Sequence, residues 1–288
     1  MDLTSIQTLK YINQKYGFRT SKGLGQNFLT DSSVIDAIVN AAEIGEGTGV
    51  LEIGPGIGVL THALSAAAKK VVAIEIDTRL IDVLSETLED CDNVDIVNAD
   101  VLKTDIPALI AERFSNCESV SIAANLPYYI TTPIITGLLE NESLSVKNIV
   151  VMVQKEVAQR LCAPPGKKDC GALSVLISYH TEPEMVAHVP SSKFVPVPKV
   201  DSAVVRMRMR SEKAVAPKSE EMLFKTVKAS FGQRRKTLLN ALCGSGMFGR
   251  TKDELKVIIA ELGFGESVRG EQLAIEQFCA LADRLLEN

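Results

Sequence analysis

Val50-Leu51-Glu52-Ile53-Gly54-Pro55-Gly56-Ile57-Gly58-Val59-Leu60 is a short apolar run that passes directly into a glycine-rich turn and then a helix. Glycines at 54, 56 and 58 let the backbone take positive φ and approach a ligand closely, while the helix that follows presents free N–H groups. A dinucleotide fingerprint, G-x-G-x-x-G, needs its third glycine at position 59, where the chain carries Val59. The register fits E-x-G-x-G-x-G instead, with Glu52 as the acid. A tight strand-to-helix turn with no ligand is the plainer alternative, and the flanking sequence decides between them.

Downstream, Val71 to Ile76 reads as the next strand and ends in Glu75, 21 residues after Gly54. In a βαβ unit an acid at that place accepts hydrogen bonds from both ribose hydroxyls of a nucleoside. Val94 to Val97 reads as a third strand, and Asp100 just beyond it is placed to accept the exocyclic amine of an adenine. With their neighbours Ile76 and Val101, and with Gly54 and Gly56, these acids form one constellation at the carboxyl edge of a parallel sheet. Upstream, Ser21 to Leu29 is a polar loop ahead of a helix for which Asp31 is the N-cap. It is expected to fold over the pocket as a lid, with amide contacts from Gln26 and Asn27. The alternative makes these acids exposed strand ends and these amides ordinary loop residues. The glycine motif itself resembles the first motif of S-adenosylmethionine-dependent methyltransferases.

A fourth strand, Val120 to Ala124, delivers Asn125-Leu126-Pro127-Tyr128. The exocyclic nitrogen of adenine is a poor nucleophile because its lone pair is delocalised into the ring. Attack on a methylsulfonium therefore needs acceptors that hold its N–H groups and let it pyramidalise. The Asn125 side-chain oxygen and the Leu126 carbonyl supply them, and Pro127 stiffens the turn without a competing N–H. Tyr128 offers an aromatic face for an extruded base. No group needs a displaced pKa, because positioning suffices for in-line transfer from a cationic donor.

Taken together, these stretches closely resemble the ribosomal RNA adenine N6,N6-dimethyltransferases, the bacterial KsgA/RsmA family. Gly25-Gln-Asn-Phe-Leu29, Glu52 to Gly58, Glu75-Ile-Asp77, Asp100, Asn125 to Tyr128, Lys193 to Arg206 and Phe231 to Asn240 all carry the likeness. The resemblance implies S-adenosylmethionine contacts from Asn27, Leu29, Gly54, Glu75, Asp100 and Asn125. It assigns the target adenine to Asn125, Leu126 and Tyr128, with Phe194 as the opposing face of an aromatic clamp. Leu29 rests on resemblance alone, and the plainer alternative for Phe194 is a loop phenylalanine plugging the core. The implied activity is dimethylation of two adjacent adenosines near the 3′ end of small-subunit ribosomal RNA. DNA adenine methylases would show Pro in place of Leu126. The erythromycin-resistance methylases of large-subunit RNA share the architecture and are the rival enzyme reading. A non-catalytic RNA-binding assembly factor is the rival from another class, against which the intact acids and Asn-Leu-Pro-Tyr speak.

The chain has 288 residues, 46% hydrophobic and 23% charged, enough for one large domain and a smaller one. Its net charge of −5 is unevenly distributed. From Lys193 to Lys252 there are 14 Lys or Arg against four acids, the footprint of a polyanion binder or else a solvated face. Lys199, Arg206, Arg234, Arg235 and Lys236 are the expected RNA contacts, with Arg206, Arg208 and Arg210 alternating onto one face of a strand. The expected fold class is α/β, a Rossmann-like methyltransferase sheet with a small all-helical C-terminal domain. The expected boundaries are 1–211 for the catalytic domain, its lid segment at 1–30, and 212–288 for a helical RNA-binding domain. The six cysteines show no C-x-x-C and no nearby histidine pair, so no metal is expected and the thiols read as reduced and mostly buried. No apolar run approaches the roughly 18 residues a membrane span needs, and the expectation is a cytoplasmic monomer acting on ribosomal RNA or an immature small subunit.

Overall fold

In a computed structural model describing residues 1–17, 27–127, 130–233 and 235–287, seven strands form one sheet. After helix α1 (Ile6–Tyr16), β1 (Phe28–Leu29) and α2 (Ser32–Ala41), the sheet begins with β2 (Thr48–Ile53). Then come α3 (Val59–Ala67), β3 (Lys70–Glu75), α4 (Ile81–Thr87), β4 (Val94–Asn98), α5 (Ile106–Arg113) and β5 (Ser119–Asn125). The chain continues through α6 (Thr131–Leu139), β6 (Asn148–Gln154), α7 (Lys155–Leu161), α8 (Ala172–His180), β7 (Thr181–Val189), β8 (Phe194–Val195) and β9 (Ser202–Met209). Four helices finish it: α9 (Glu220–Phe231), α10 (Leu238–Ser245), α11 (Lys252–Glu261) and α12 (Ile275–Leu286).

The sheet runs β4-β3-β2-β5-β6-β9-β7. The first five are parallel, and β9 pairs antiparallel with β6. A parallel sheet is covered on both faces, so its central strands are apolar throughout; every residue of β2 is buried, Glu52 included. Because β2 leads outward to β3 and β4 on one side, and β5 and β6 lie on the other, the order reverses at β2/β5. That reversal opens a crevice at the carboxyl ends of the strands.

Two compact units emerge, 1–158 with 183–209 and 159–182 with 210–288. The single boundary expected at 211/212 therefore misses an excursion. Val175 and Tyr179 of α8 are buried in the same apolar cluster as Leu223, Leu242 and Phe278 of the C-terminal helices, which draws 159–182 into the second unit. The first unit has its own clusters. One is built on α2 and α3 through Ile35, Ile38, Leu60 and Leu64, another on α1 and α4 around Ile57.

Local chemistry sets the helix ends. Asp31 caps α2 by accepting from the Ser33 N–H, as expected. The apolar stripe from Phe224 to Leu242 is divided. Helix α9 stops at Phe231 with Gly232 as its cap, and the Thr237 side chain starts α10 by accepting from the Asn240 N–H. Thr251 and Glu254 form a reciprocal capping box on α11. The six cysteines are free, but the expectation that most are buried is wrong: Cys170 is buried, Cys243 exposed, and the other four sit at intermediate depth. Loop and helix-end positions such as Cys91 and Cys117 carry no requirement for burial.

Candidate active site

The glycine turn leaves β2 with φ of 72° at Gly54, 62° at Gly56 and 89° at Gly58, so all three positions use the left-handed region. The Gly54 N–H donates to Ile74 O at 2.9 Å, tying the turn to β3. Gly58 caps α3 with no side chain, leaving the first N–H groups of that helix uncapped from the side.

Alternation along paired strands then decides what faces the turn. Glu52 stands opposite Ala73 in β3 and Ala123 in β5. Glu75 and Asn125, each two residues further on, therefore share the face of Glu52. The Glu75 carboxylate accepts the Asp77 N–H at 2.8 Å and the Gly56 N–H at 3.2 Å. Burial pushes its pKa up, while those two amides pull it down. Glu52 lies deeper, where burial pushes its carboxyl up to about 8. Asp100 accepts the Leu102 N–H at 3.0 Å and stands 3.6 Å from Lys103 Nζ.

These groups open on one cleft. Gly54, Gly56, Glu75, Ile76, Asp100 and Val101 line it. Asn125 at the end of β5, with Leu126 and Pro127 just beyond it, also lines the cleft, as do Asn27, Leu29 and Phe194. Gln26 and Tyr128 lie outside the described residues. The cleft's lining, mostly apolar with a few carboxylate and amide groups, has the make-up of a small-molecule site. A Cβ on Gly54 would meet nothing within 4 Å, so the backbone there borders open space, and the buried Glu52 Oε2 has no hydrogen-bond partner among the described residues. The first leaves room for a ligand against the turn, and the second leaves an acceptor unsatisfied at the cleft wall.

Phe194 is brought to the cleft by a pairing that the sequence did not disclose. Strands β1 and β8 form a two-stranded antiparallel ladder in which Leu29 faces Phe194 and Phe28 faces Val195. Thr30 N–H donates to Lys193 O at 2.9 Å, and Lys193 Nζ donates to Asp31, which extends the clasp. Phe194 is 2% exposed, so it belongs to the apolar cluster beneath the cleft as well as to its wall.

The basic region changes most. Arg206 donates to Glu43 at 2.9 Å and is also paired with Glu184; Arg208 pairs with the same Glu43, and Arg210 with Glu182 at 3.1 Å. Arg206, one of the expected RNA contacts, therefore sits in a cluster of ion pairs. A count along the chain cannot see acids that the fold delivers from elsewhere. Lys199, Arg235 and Lys236 are exposed and make no ion pair among the described residues; Arg234 lies outside them. No described helix is long and apolar enough to cross a membrane.

Comparison with known proteins agrees with this geometry. Residues 17–286 match the family model "Ribosomal RNA adenine dimethylase". The chain is 50% identical to the ribosomal RNA small subunit methyltransferase A of Clostridioides difficile, over 98% of this chain and 96% of the relative. It is equally 50% identical to the protein of that name from Bacillus licheniformis, over 99% and 97%. Among solved structures, the 23S rRNA methyltransferase ErmE aligns with a TM-score of 0.69 at 30% identity, covering 91% of this chain and all of that one. A dimethyladenosine transferase from Plasmodium falciparum aligns at 0.73 and 26% identity, covering 88% and 95%. With the glycine turn, the two strand-end acids and Asn125-Leu-Pro opening on one cleft, the chain belongs to the ribosomal RNA adenine dimethylase family of S-adenosylmethionine-dependent methyltransferases.

Proposed function

We propose that this enzyme transfers methyl groups from S-adenosylmethionine to N6 of two adjacent adenosines in the 3′-terminal hairpin of small-subunit ribosomal RNA, two to each. The observation that carries this reading is the shared cleft, where Asn125, Leu126 and Pro127 stand beside the groups suited to a nucleoside. S-adenosylmethionine supplies a methyl group already activated on a sulfonium. Glu75 holds the ribose, Asp100 the adenine amine, and the glycine turn with Asn27 and Leu29 encloses the rest. The Asn125 carboxamide oxygen and the Leu126 carbonyl accept the N–H groups of the target amine, which keeps the nitrogen lone pair aimed at the methyl. The target base sits in the cleft, with the buried Phe194 ring in the wall behind it, and Lys199, Arg235 and Lys236 meet phosphates.

The small-subunit target is preferred over the large-subunit one because the chain is 50% identical to small-subunit enzymes and 30% identical to ErmE. We take the enzyme to be a cytoplasmic monomer that acts on the immature subunit, with a role in its biogenesis. Incubation of undermethylated small subunits with the protein and labelled S-adenosylmethionine should yield N6,N6-dimethyladenosine at two neighbouring positions, read by mass spectrometry of RNA fragments. Label confined to large-subunit RNA would support the rival target, and binding to particles with no transfer would support an assembly factor.

A further inference from the structure

One group lining the cleft is left unused by the assignments above. Glu52 is 1% exposed, its Oε2 has no hydrogen-bond partner among the described residues, and it contributes to the cleft wall. The groups that face it are few. From β3 comes the Glu75 carboxylate, on the same face of the sheet; from α3 comes the Thr61 hydroxyl, itself without a partner; β5 opposes it with Ala123. No salt bridge reaches it among the described residues. Burial therefore holds the proton on Glu52, pushing its carboxyl up to about 8; the Thr61 hydroxyl opposes this without completing a hydrogen bond, and Glu75 adds to it.

A ligand that changes charge during the reaction alters this balance. The methyl donor carries a positive sulfonium, whereas the spent product, S-adenosylhomocysteine, carries a neutral thioether. The adenine, ribose and amino-acid portions are the same in both, so what Glu75 and Asp100 contribute is common to the two ligands. We propose that Glu52 is the proton-linked group by which the cleft distinguishes donor from spent product: it releases its proton to solvent when the sulfonium binds and retains it when the thioether binds. Preference for the donor then rises with pH, because the donor complex holds fewer protons than the product complex. The proposal rests on the S-adenosylmethionine reading of the cleft.

Calorimetry tests it without turnover. Binding of each ligand is measured between pH 6 and 8.5 in pairs of buffers with different heats of ionisation, which yields the protons exchanged. For the wild-type protein near pH 7, donor binding should release about half to one proton more than product binding, and the ratio of the two Kd values should rise by up to about tenfold per pH unit. Glu52→Gln, a close match in shape to the protonated form, reports protons exchanged by the ligand's own amine; its ratio should lack the Glu52 contribution. Its thermal unfolding verifies that it folds. Equal proton counts for the two ligands in the wild type, or a pH dependence unchanged in Glu52→Gln, would overturn the role of Glu52. Failure of the wild type to bind either ligand would overturn the cofactor reading itself, and the proposal with it.

Discussion

The Gly56 N–H donates to Glu75 Oε2 at 3.2 Å across 19 residues of chain, so the strand-end acid braces the glycine turn as well as facing the cleft. Glu75→Ala should lose both services. S-adenosylmethionine affinity is expected to fall by about 2–3 kcal/mol, because charge-assisted hydrogen bonds to the ribose disappear. Glu75→Gln retains an acceptor and should lose less. Calorimetry with both variants checks this order, and unchanged affinity in Glu75→Ala would remove the residue from the site.

Gly58 and Gly54 share positive φ but differ in surroundings. A Cβ on Gly58 would approach Leu88 Cδ2 and Thr87 Oγ1 to 3.1 Å, whereas one on Gly54 meets nothing within 4 Å. Gly58→Ala therefore adds crowding to left-handed strain and should destabilise the fold by about 1–3 kcal/mol. Gly54→Ala should cost about 1–2 kcal/mol of strain and chiefly obstruct the cofactor. Denaturant unfolding beside cofactor binding separates the two, and equal stability losses with equal affinity would contradict the contrast.

Legibility followed locality. Glycine spacing, apolar runs and strand-end acids are encoded within about 20 residues, and the cleft-lining positions Gly54, Glu75, Asp100 and Asn125 were nameable from them. The β1–β8 ladder was not, because a two-residue strand has no period to read and its partner lies far along the chain. The same distance concealed Glu43, whose carboxylate pairs with Arg206, Arg208 and Lys147. It also concealed α8, whose apolar residues gave no sign of which unit would bury them.

Glu86 anchors the N-terminal helix. Its carboxylate accepts from Lys15 Nζ at 2.8 Å, from Tyr16 Oη, and from Tyr11 Oη at 2.8 Å, and these donors, Lys15 foremost, hold its pKa down to about 2. A depressed folded-state value means the stabilisation is present above the ordinary carboxylate range and is lost as pH falls toward about 2. Glu86→Ala should speed tryptic cleavage at Lys10 and Lys15 at neutral pH. In the wild type, the protection of α1 amides from exchange, relative to their intrinsic rates, should fall over that acid window. Cleavage at the wild-type rate would show that apolar contacts of Leu9 and Ile12 hold the helix alone.

Free and paired cations should differ in how they meet RNA. Replacing Arg235 and Lys236 by Gln is expected to lower the magnitude of the salt slope of RNA binding by up to about 2, with cofactor affinity intact. Arg206→Gln should leave that slope nearly unchanged, because Glu43 and Glu184 already neutralise its guanidinium. A larger effect from Arg206 than from the exposed pair would reverse the assignment.

In the proposed mechanism Asn125 carries the chemical step. It ends β5 opposite Met152 of β6, and the Leu126 N–H donates to Met152 O at 3.2 Å, so the first residues of the turn are held by the sheet rather than by a loop. An acceptor fixed in this way is needed most when the target nitrogen pyramidalises, and less when the base merely rests in the cleft. Asn125→Ala should therefore reduce single-turnover methyl transfer on the order of 10²-fold or more while RNA binding stays nearly unchanged. The methylated nitrogen passes its proton to solvent after the methyl arrives, so no titrating group is required at Asn125 and the residual rate should keep the pH profile of the wild type. Single-turnover transfer of labelled methyl, with equilibrium binding of the same RNA particle, reads both quantities; a variant that methylates at the wild-type rate would refute the mechanism, and one that loses binding in proportion to rate would reassign Asn125 to capture of the base.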